Sequence, residues 1–158
     1  MAIIKLNNQS ISSVSALPAG ITTGKVLQVV TATDGTGLSS SSTSYVDTGL
    51  SASITPSSSS NKVLVIVTTG VHGIDTASTT GLKLKLVRDS TDLIEQSSWG
   101  SHPTITYIYG QGHCFNYLDS PSSTSSTTYK LQYKSNDGTN HVLENASTAV
   151  MTLLEVSA

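Results

Sequence analysis

The chain has 158 residues, 11% of them charged, with a formal net charge of −2 and a single cysteine, which fits one domain large enough to bury a core without disulfides or metals. Ser and Thr make up about a third of it, so its surface is covered by hydroxyls rather than charges. The eight Lys and Arg residues form no basic stripe for phosphates and no apolar run approaches the roughly 18 residues of a membrane span, so neither nucleic acid nor membrane is an expected partner.

Residues 1–24, MAIIKLNNQSISSVSALPAGITTG, turn polar too early for a signal peptide, and production in the cytoplasm is expected. Their sparse apolar residues Ile3, Ile4, Leu6, Ile11, Val14 and Leu17 precede the breakers Pro18, Gly20 and Gly24. This segment reads as an attachment arm rather than a domain. From Lys25 onward, apolar blocks of strand length alternate with Ser, Thr, Gly, Asp and Pro: KVLQVVT, SYVDT, LSASIT, KVLVIVTTGV, GLKLKLVRD, TDLIEQ, TITYIYG, GHCFNYLDS, TTYKLQYKS, HVLENA and AVMTLLEVS. Roughly ten strands in about 130 residues, with no sustained helical repeat, predict an all-β jelly-roll sandwich over residues 25–158.

Several of these strands have one dry and one wet side. Leu82, Leu84 and Leu86 alternate with Lys83 and Lys85, and Tyr129, Leu131 and Tyr133 with Lys130, Gln132 and Lys134. Two runs are apolar on both sides: Val63, Val65 and Val67 oppose Leu64 and Ile66, while Val150, Leu154 and Val156 oppose Met151 and Leu153. A two-layer sandwich covers only the inner face of each sheet. The second apolar face therefore needs a neighbour, and the expectation is a homotrimer with Leu64, Ile66, Met151 and Leu153 at its interface.

TSYVDTGLSASITPSSSSNKVLVIV, LKLVRDSTDL, FNYLDSPSSTSSTTYKLQYKS and the terminal MTLLEVSA together resemble small Ser/Thr-rich virion proteins of tailed bacteriophages. The resemblance covers about residues 25–158, with a looser match for MAIIKLNNQSI. It implies a jelly roll similar to tumour necrosis factor-like trimers and carries no shared catalytic residues. The expected function is a non-enzymatic capsid-decoration protein, a cement or short head-fibre knob. It would sit on the virion surface and be held by its arm to another virion protein, the major capsid protein. A tail-fibre tip that binds a host-surface receptor or glycan is the alternative.

Catalytic and metal chemistry find little purchase. Asp89, Asp92 and Glu95 are close in sequence, but Asp89-Ser90-Thr91-Asp92 reads as a hairpin turn in which Asp accepts local backbone hydrogen bonds. A triad drawn from His72, Asp75 and a serine lacks any G-x-S-x-G elbow. His72, His102, His113 and His141 have no ligand spacing, so neither metal nor cofactor is expected. Cys114, inside HCFNYL, reads as a small buried hydrophobe, and Asp137-Gly138 as the tight turn of a hairpin. Trp99, Tyr107 and Tyr109 lie in a hydroxyl-rich segment where aromatic faces could stack on glycan, although such residues more often mark packing.

Overall fold

In the computed structural model, the described residues are 24–70, 72–74, 79–101, 108–109, 112–136, 141–143 and 148–158. Among them there is no helix. The long strands are β1 (Val26–Asp34), β3 (Val46–Ile54), β4 (Lys62–Thr68), β6 (Thr79–Arg88), β7 (Thr91–Ser101), β9 (Cys114–Asp119), β10 (Thr127–Ser135) and β12 (Ala149–Val156), and the short ones are β2 (Leu38–Ser40), β5 (His72–Ile74), β8 (Ile108–Tyr109) and β11 (His141–Leu143). One sheet has the order β1-β12-β4-β9 and the facing sheet β3-β10-β6-β7. Each long strand passes to the opposite sheet except at the β6–β7 hairpin, which is the winding of a jelly roll.

The alternation of the sequence explains the core. Leu82, Leu84, Leu86, Tyr129, Leu131 and Tyr133 face inward from the second sheet, with Leu50 and Ile54, against Val63, Val65 and Val67 of the first. Full burial of such a side chain is worth about 1.5–3 kcal/mol, so this two-sided layer dominates the fold. SYVDT and LSASIT, expected as two strands, form the single β3. Its bulge falls opposite Leu131, between the Lys130–Ser51 and Gln132–Asp47 pairs. Gly49 makes it possible: its φ is 94°, and a Cβ there would come 2.6 Å from an Asp34 carboxylate oxygen. The β6–β7 hairpin turn lies at Asp89-Ser90, where the sequence predicts a turn, but its Asp89 bonds to distant backbone rather than locally. Asp89 has a φ of 50°, accepts from Thr128 N at 3.0 Å on its carboxylate and donates its own N–H to Thr128 O at 2.8 Å.

The two ends of the sandwich differ. At one end, the connections β1–β3, β4–β6, β7–β9 and β10–β12 contribute β2, β5, β8 and β11, which pair into a third sheet of order β2-β11-β5-β8. β10 and β11 therefore belong to different sheets, and Asp137-Gly138, expected as the tight turn between them, lies outside the described residues. At the other end lie the Ser-rich connections 55–61 and 120–126, the β6–β7 turn and the C-terminal residues. Lys25 donates to Ser157 Oγ at 2.9 Å and accepts from Ser157 N at 2.9 Å, so the chain enters β1 beside its exit from β12.

Candidate interaction surface

The outer faces of the two large sheets are opposites. On the second sheet, Lys83 pairs with Glu95 at 2.6 Å, Lys85 with Asp92 at 3.0 Å and Lys130 with Asp47 at 3.3 Å. Tyr45 lies across this face with Lys85 Nζ 3.9 Å and Lys134 Nζ 4.8 Å from its ring centroid, and its hydroxyl donates to Glu95. Burial, followed by that hydrogen bond, raises the Tyr45 pKa. Asp92 and Glu95 thus each pair with a different lysine.

The outer face of β1-β12-β4-β9 carries one charge among its paired rows, the exposed Lys62 opposite Val156. Its register lines up Val29, Leu154, Leu64 and Leu118 in one row, Thr31, Thr152, Ile66 and Asn116 in a second, and Thr33, Val150, Thr68 and Cys114 in a third. None of these residues is charged. All four exposed large hydrophobics among the described residues belong to the edge strands of this sheet: Val26 (55%), Leu27 (46%), Val29 (57%) and Leu118 (51%). Cys114, expected to be buried, is exposed, because strand parity places it with Asn116 and Leu118 opposite the core-packed Phe115 and Tyr117.

This geometry divides the expected trimer interface. Leu64 and Ile66 are half-buried on the outer face. Met151 and Leu153 are not at a surface at all: they are fully buried in the sandwich core, opposite Val67 and Val65 across the β12–β4 ladder, where no neighbouring chain could touch them. The residue that sequence reasoning missed on this sheet is Leu154, and its signal was the pairing row it completes. Of the aromatic residues considered for glycan, Trp99 is in β7, paired with Gly81, and Tyr109 is in β8, paired with Gly73; they belong to different sheets, and Tyr107 lies outside the described residues. So do Ile3, Ile4, Leu6, Ile11, Val14 and Leu17. No three side chains of His, Cys, Asp or Glu among the described residues are grouped to hold a metal.

The end at which β1 begins is organised by a buried carboxylate. Glu155 accepts from Gln28 Nε2 at 2.6 Å, from Ser57 N and Oγ at 2.7 Å each and from Asn61 Nδ2 at 2.6 Å. Of the connection beside the hydrophobic β4, Ser57 and Asn61 donate to this one charge, while Ser58 and Ser60 bond to each other. Burial alone would raise the Glu155 pKa; the hydrogen bonds from Gln28, Asn61 and Ser57 outweigh it and bring the group from 4.5 to about 2. A depressed folded-state pKa gives stability that is fully present above the unfolded value and lost as pH falls through the folded one. The melting temperature should therefore drop as pH falls from about 4.5 to about 2, and Glu155→Gln should melt lower at pH 7 but lose less over that interval. Asp47, held low chiefly by Gln132, and Glu95, held low chiefly by Lys83, supply acid dependence common to both proteins. Thermal melts across the pH series check this; parallel curves would refute it.

No protein-family model matches the chain, and no curated protein sequence matches it. Solved structures similar to it include the VP2 subviral particle of infectious bursal disease virus, 15% identical with a TM-score of 0.44, the match covering 83% of this chain and 38% of that one. A structure of the infectious bursal disease virus Gx strain is 13% identical with a TM-score of 0.45, covering 99% of this chain and 43% of that one. The chain spans about two fifths of the length of each.

Proposed function

We propose that the chain is a non-enzymatic structural protein of a bacteriophage virion: a homotrimeric capsid-decoration knob, of cement or short head-fibre type, anchored to the particle by residues 1–24. The observation that carries this reading is the two-faced jelly roll, with one outer face lined by ion pairs and the other crossed by three uncharged rows that include Val29, Leu64, Ile66, Leu118, Val150 and Leu154. Such a surface suits assembly, since contiguous apolar patches of several hundred Å² commonly mark interaction sites. The motif resemblance supports the phage setting, with the major capsid protein as the partner, the virion surface as the location and assembly in the host cytoplasm.

A tail-fibre tip is the second reading. It is favoured by the third sheet, β2-β11-β5-β8, which four connections build at the end opposite the arm, where a tip would meet a host receptor or glycan.

Truncation tests the division of labour between knob and arm. A chain starting at Lys25 should fold, because the core of the described residues is built from strands downstream of it, and should trimerise, yet fail to co-sediment with particles lacking the protein. Three arms on one knob bind with avidity, so weak single contacts suffice to hold it. Equal co-sedimentation of full-length and truncated protein would overturn the anchoring role. The location of the copies on a particle reconstruction, at capsid symmetry axes or at the tail, separates the two readings.

A further inference from the structure

From the hydrogen bonds around Glu155 we infer that it is an acid-released latch: one proton on its carboxylate frees the connection 55–61 while the sandwich stays folded. The inference is independent of the virion reading above.

The polarity of these bonds makes the carboxylate intolerant of a proton. It accepts four hydrogen bonds and gives none: Oε2 takes Gln28 Nε2, and Oε1 takes Ser57 N, Ser57 Oγ and Asn61 Nδ2. A protonated carboxyl has a hydrogen to donate. The three nitrogens present only hydrogens to it, and Ser57 Oγ, which already accepts from Asn61 Nδ2 at 3.2 Å, can take the proton only by withdrawing its own. Protonation therefore breaks at least one of the four bonds, and a buried donor left without an acceptor is costly enough to favour the open, hydrated connection. Little else opposes its release. The remaining hydrogen bonds of this connection run from Gln28 Nε2 to Thr55 O at 2.8 Å and from Ala158 N to Asn61 Oδ1 at 3.3 Å, or stay within it. Residues 57–60 are all serine, so their departure takes no apolar side chain from the core.

The charged groups around this end are engaged elsewhere. Gln28, Glu155, Val63 and Asp119 form one inward row across the first sheet. Asp119 is two strands from Glu155, about 9.6 Å in that direction, and is held by Arg88 of β6 and the Tyr129 hydroxyl of β10. Asp89, in the β6–β7 turn, bonds Thr128. Lys25, before β1, bonds Ser157 through its backbone, and Lys62 of β4 is exposed on the outer face opposite Val156. β3 brings no titratable residue between Thr48 and Ile54. The C-terminal carboxylate belongs to Ala158, whose N–H donates to Asn61 Oδ1 rather than to Glu155. All three residues that donate to Glu155 are neutral, so the proton that opens the latch is its own.

The test is amide hydrogen exchange of the full-length chain, read by nuclear magnetic resonance over a pH series and corrected for the rate in an unstructured peptide of the same sequence. The latched carboxylate titrates at about 2 and the released one at 4.5, so release is favoured by about tenfold more for each pH unit between those values. Protection of the Ser57 N–H, which is bonded to Glu155 itself, should fall by that factor per unit. Val65 and Leu84, in the middle of β4 and β6, should keep their protection throughout. Glu155→Gln should show at pH 7 the low Ser57 protection that wild type reaches in acid, with no further change as pH falls. Asn61→Ala keeps the carboxylate and removes one donor, so it should move the release to higher pH, and it carries the comparison if the glutamine variant does not fold. Ser57 protection that is constant with pH in wild type overturns the inference, as does wild-type protection of Ser57 in folded Glu155→Gln. A loss shared equally by Val65 and Leu84 also overturns it, because Glu155 would then support the whole sandwich rather than latch one connection.

Discussion

Leu153→Asp should yield no cooperatively folding protein. Leu153 has no exposed surface and lies across the β12–β4 ladder from Val65, in the centre of the layer between the two sheets. Removing a buried leucine costs about 2–5 kcal/mol, and an unpaired carboxylate in its place costs several more. Domains of this kind have a total stability of about 5–15 kcal/mol, so the combined penalty consumes most or all of it. Circular dichroism on heating would show no sigmoidal transition. A melt near that of wild type would mean that Leu153 faces outward. Leu64→Asp, on the other face of the neighbouring strand, is the matched control: the same charge there should remove assembly and leave the strands intact.

The second large effect is expected at Asp119→Ala. Arg88 on β6 grips Asp119 at the end of β9 through Nη1, at 2.8 and 2.7 Å to its two carboxylate oxygens, and the buried Tyr129 hydroxyl donates to the same carboxylate at 2.7 Å. This group joins the two sheets at the end where β1 begins. Burial first, and then the hydrogen bond to Asp119, raise the Tyr129 pKa, so the phenol remains a donor throughout the ordinary pH range. Deleting the carboxylate strands a guanidinium that is only 21% exposed together with a buried hydroxyl. Breaking a buried pair by removing one partner costs about 3–5 kcal/mol, and the partial exposure of Arg88 points to the lower end. At about 2–4 °C per kcal/mol for a domain of this size, the melting temperature should fall by roughly 10 °C. A loss below about 2 °C would show that water replaces the pair without penalty.

Much of the fold was legible wherever polarity alternates with the strand period. Lys83 and Lys85 mark the wet side of β6 unambiguously, so Leu82, Leu84 and Leu86 could only be core. β12 defeats the same logic. AVMTLLEV is apolar at both parities, and its one charged residue, Glu155, shares a parity with Met151 and Leu153. A glutamate ordinarily marks the solvated side; here it points inward because Gln28, Ser57 and Asn61 converge on it from distant parts of the chain, and no local pattern announces that. The short strands β2 and β5 were invisible for a related reason. Three residues within a connection carry too little periodicity, and their pairing with β11 is wholly long-range. For the candidate surface, Leu64 and Ile66 were readable as needing cover, but the row that unites them with Val29, Leu118 and Leu154 exists only once the register is known.

The pairing of β1 with β12 also determines how the molecule bears mechanical load. The two strands run antiparallel along the whole of β1, and Lys25 and Ser157 are side by side at the same end. Tension applied between those two points would peel the ladder open one hydrogen bond at a time, like a zipper, and would meet little resistance. Tension that enters at Lys25 and leaves through the opposite end of the sandwich pulls β1 along its own axis instead. Every rung of the ladder is then strained together in shear, and none can fail before its neighbours. A knob tethered only by residues preceding β1, and dragged by flow past its far end, is loaded in the strong direction.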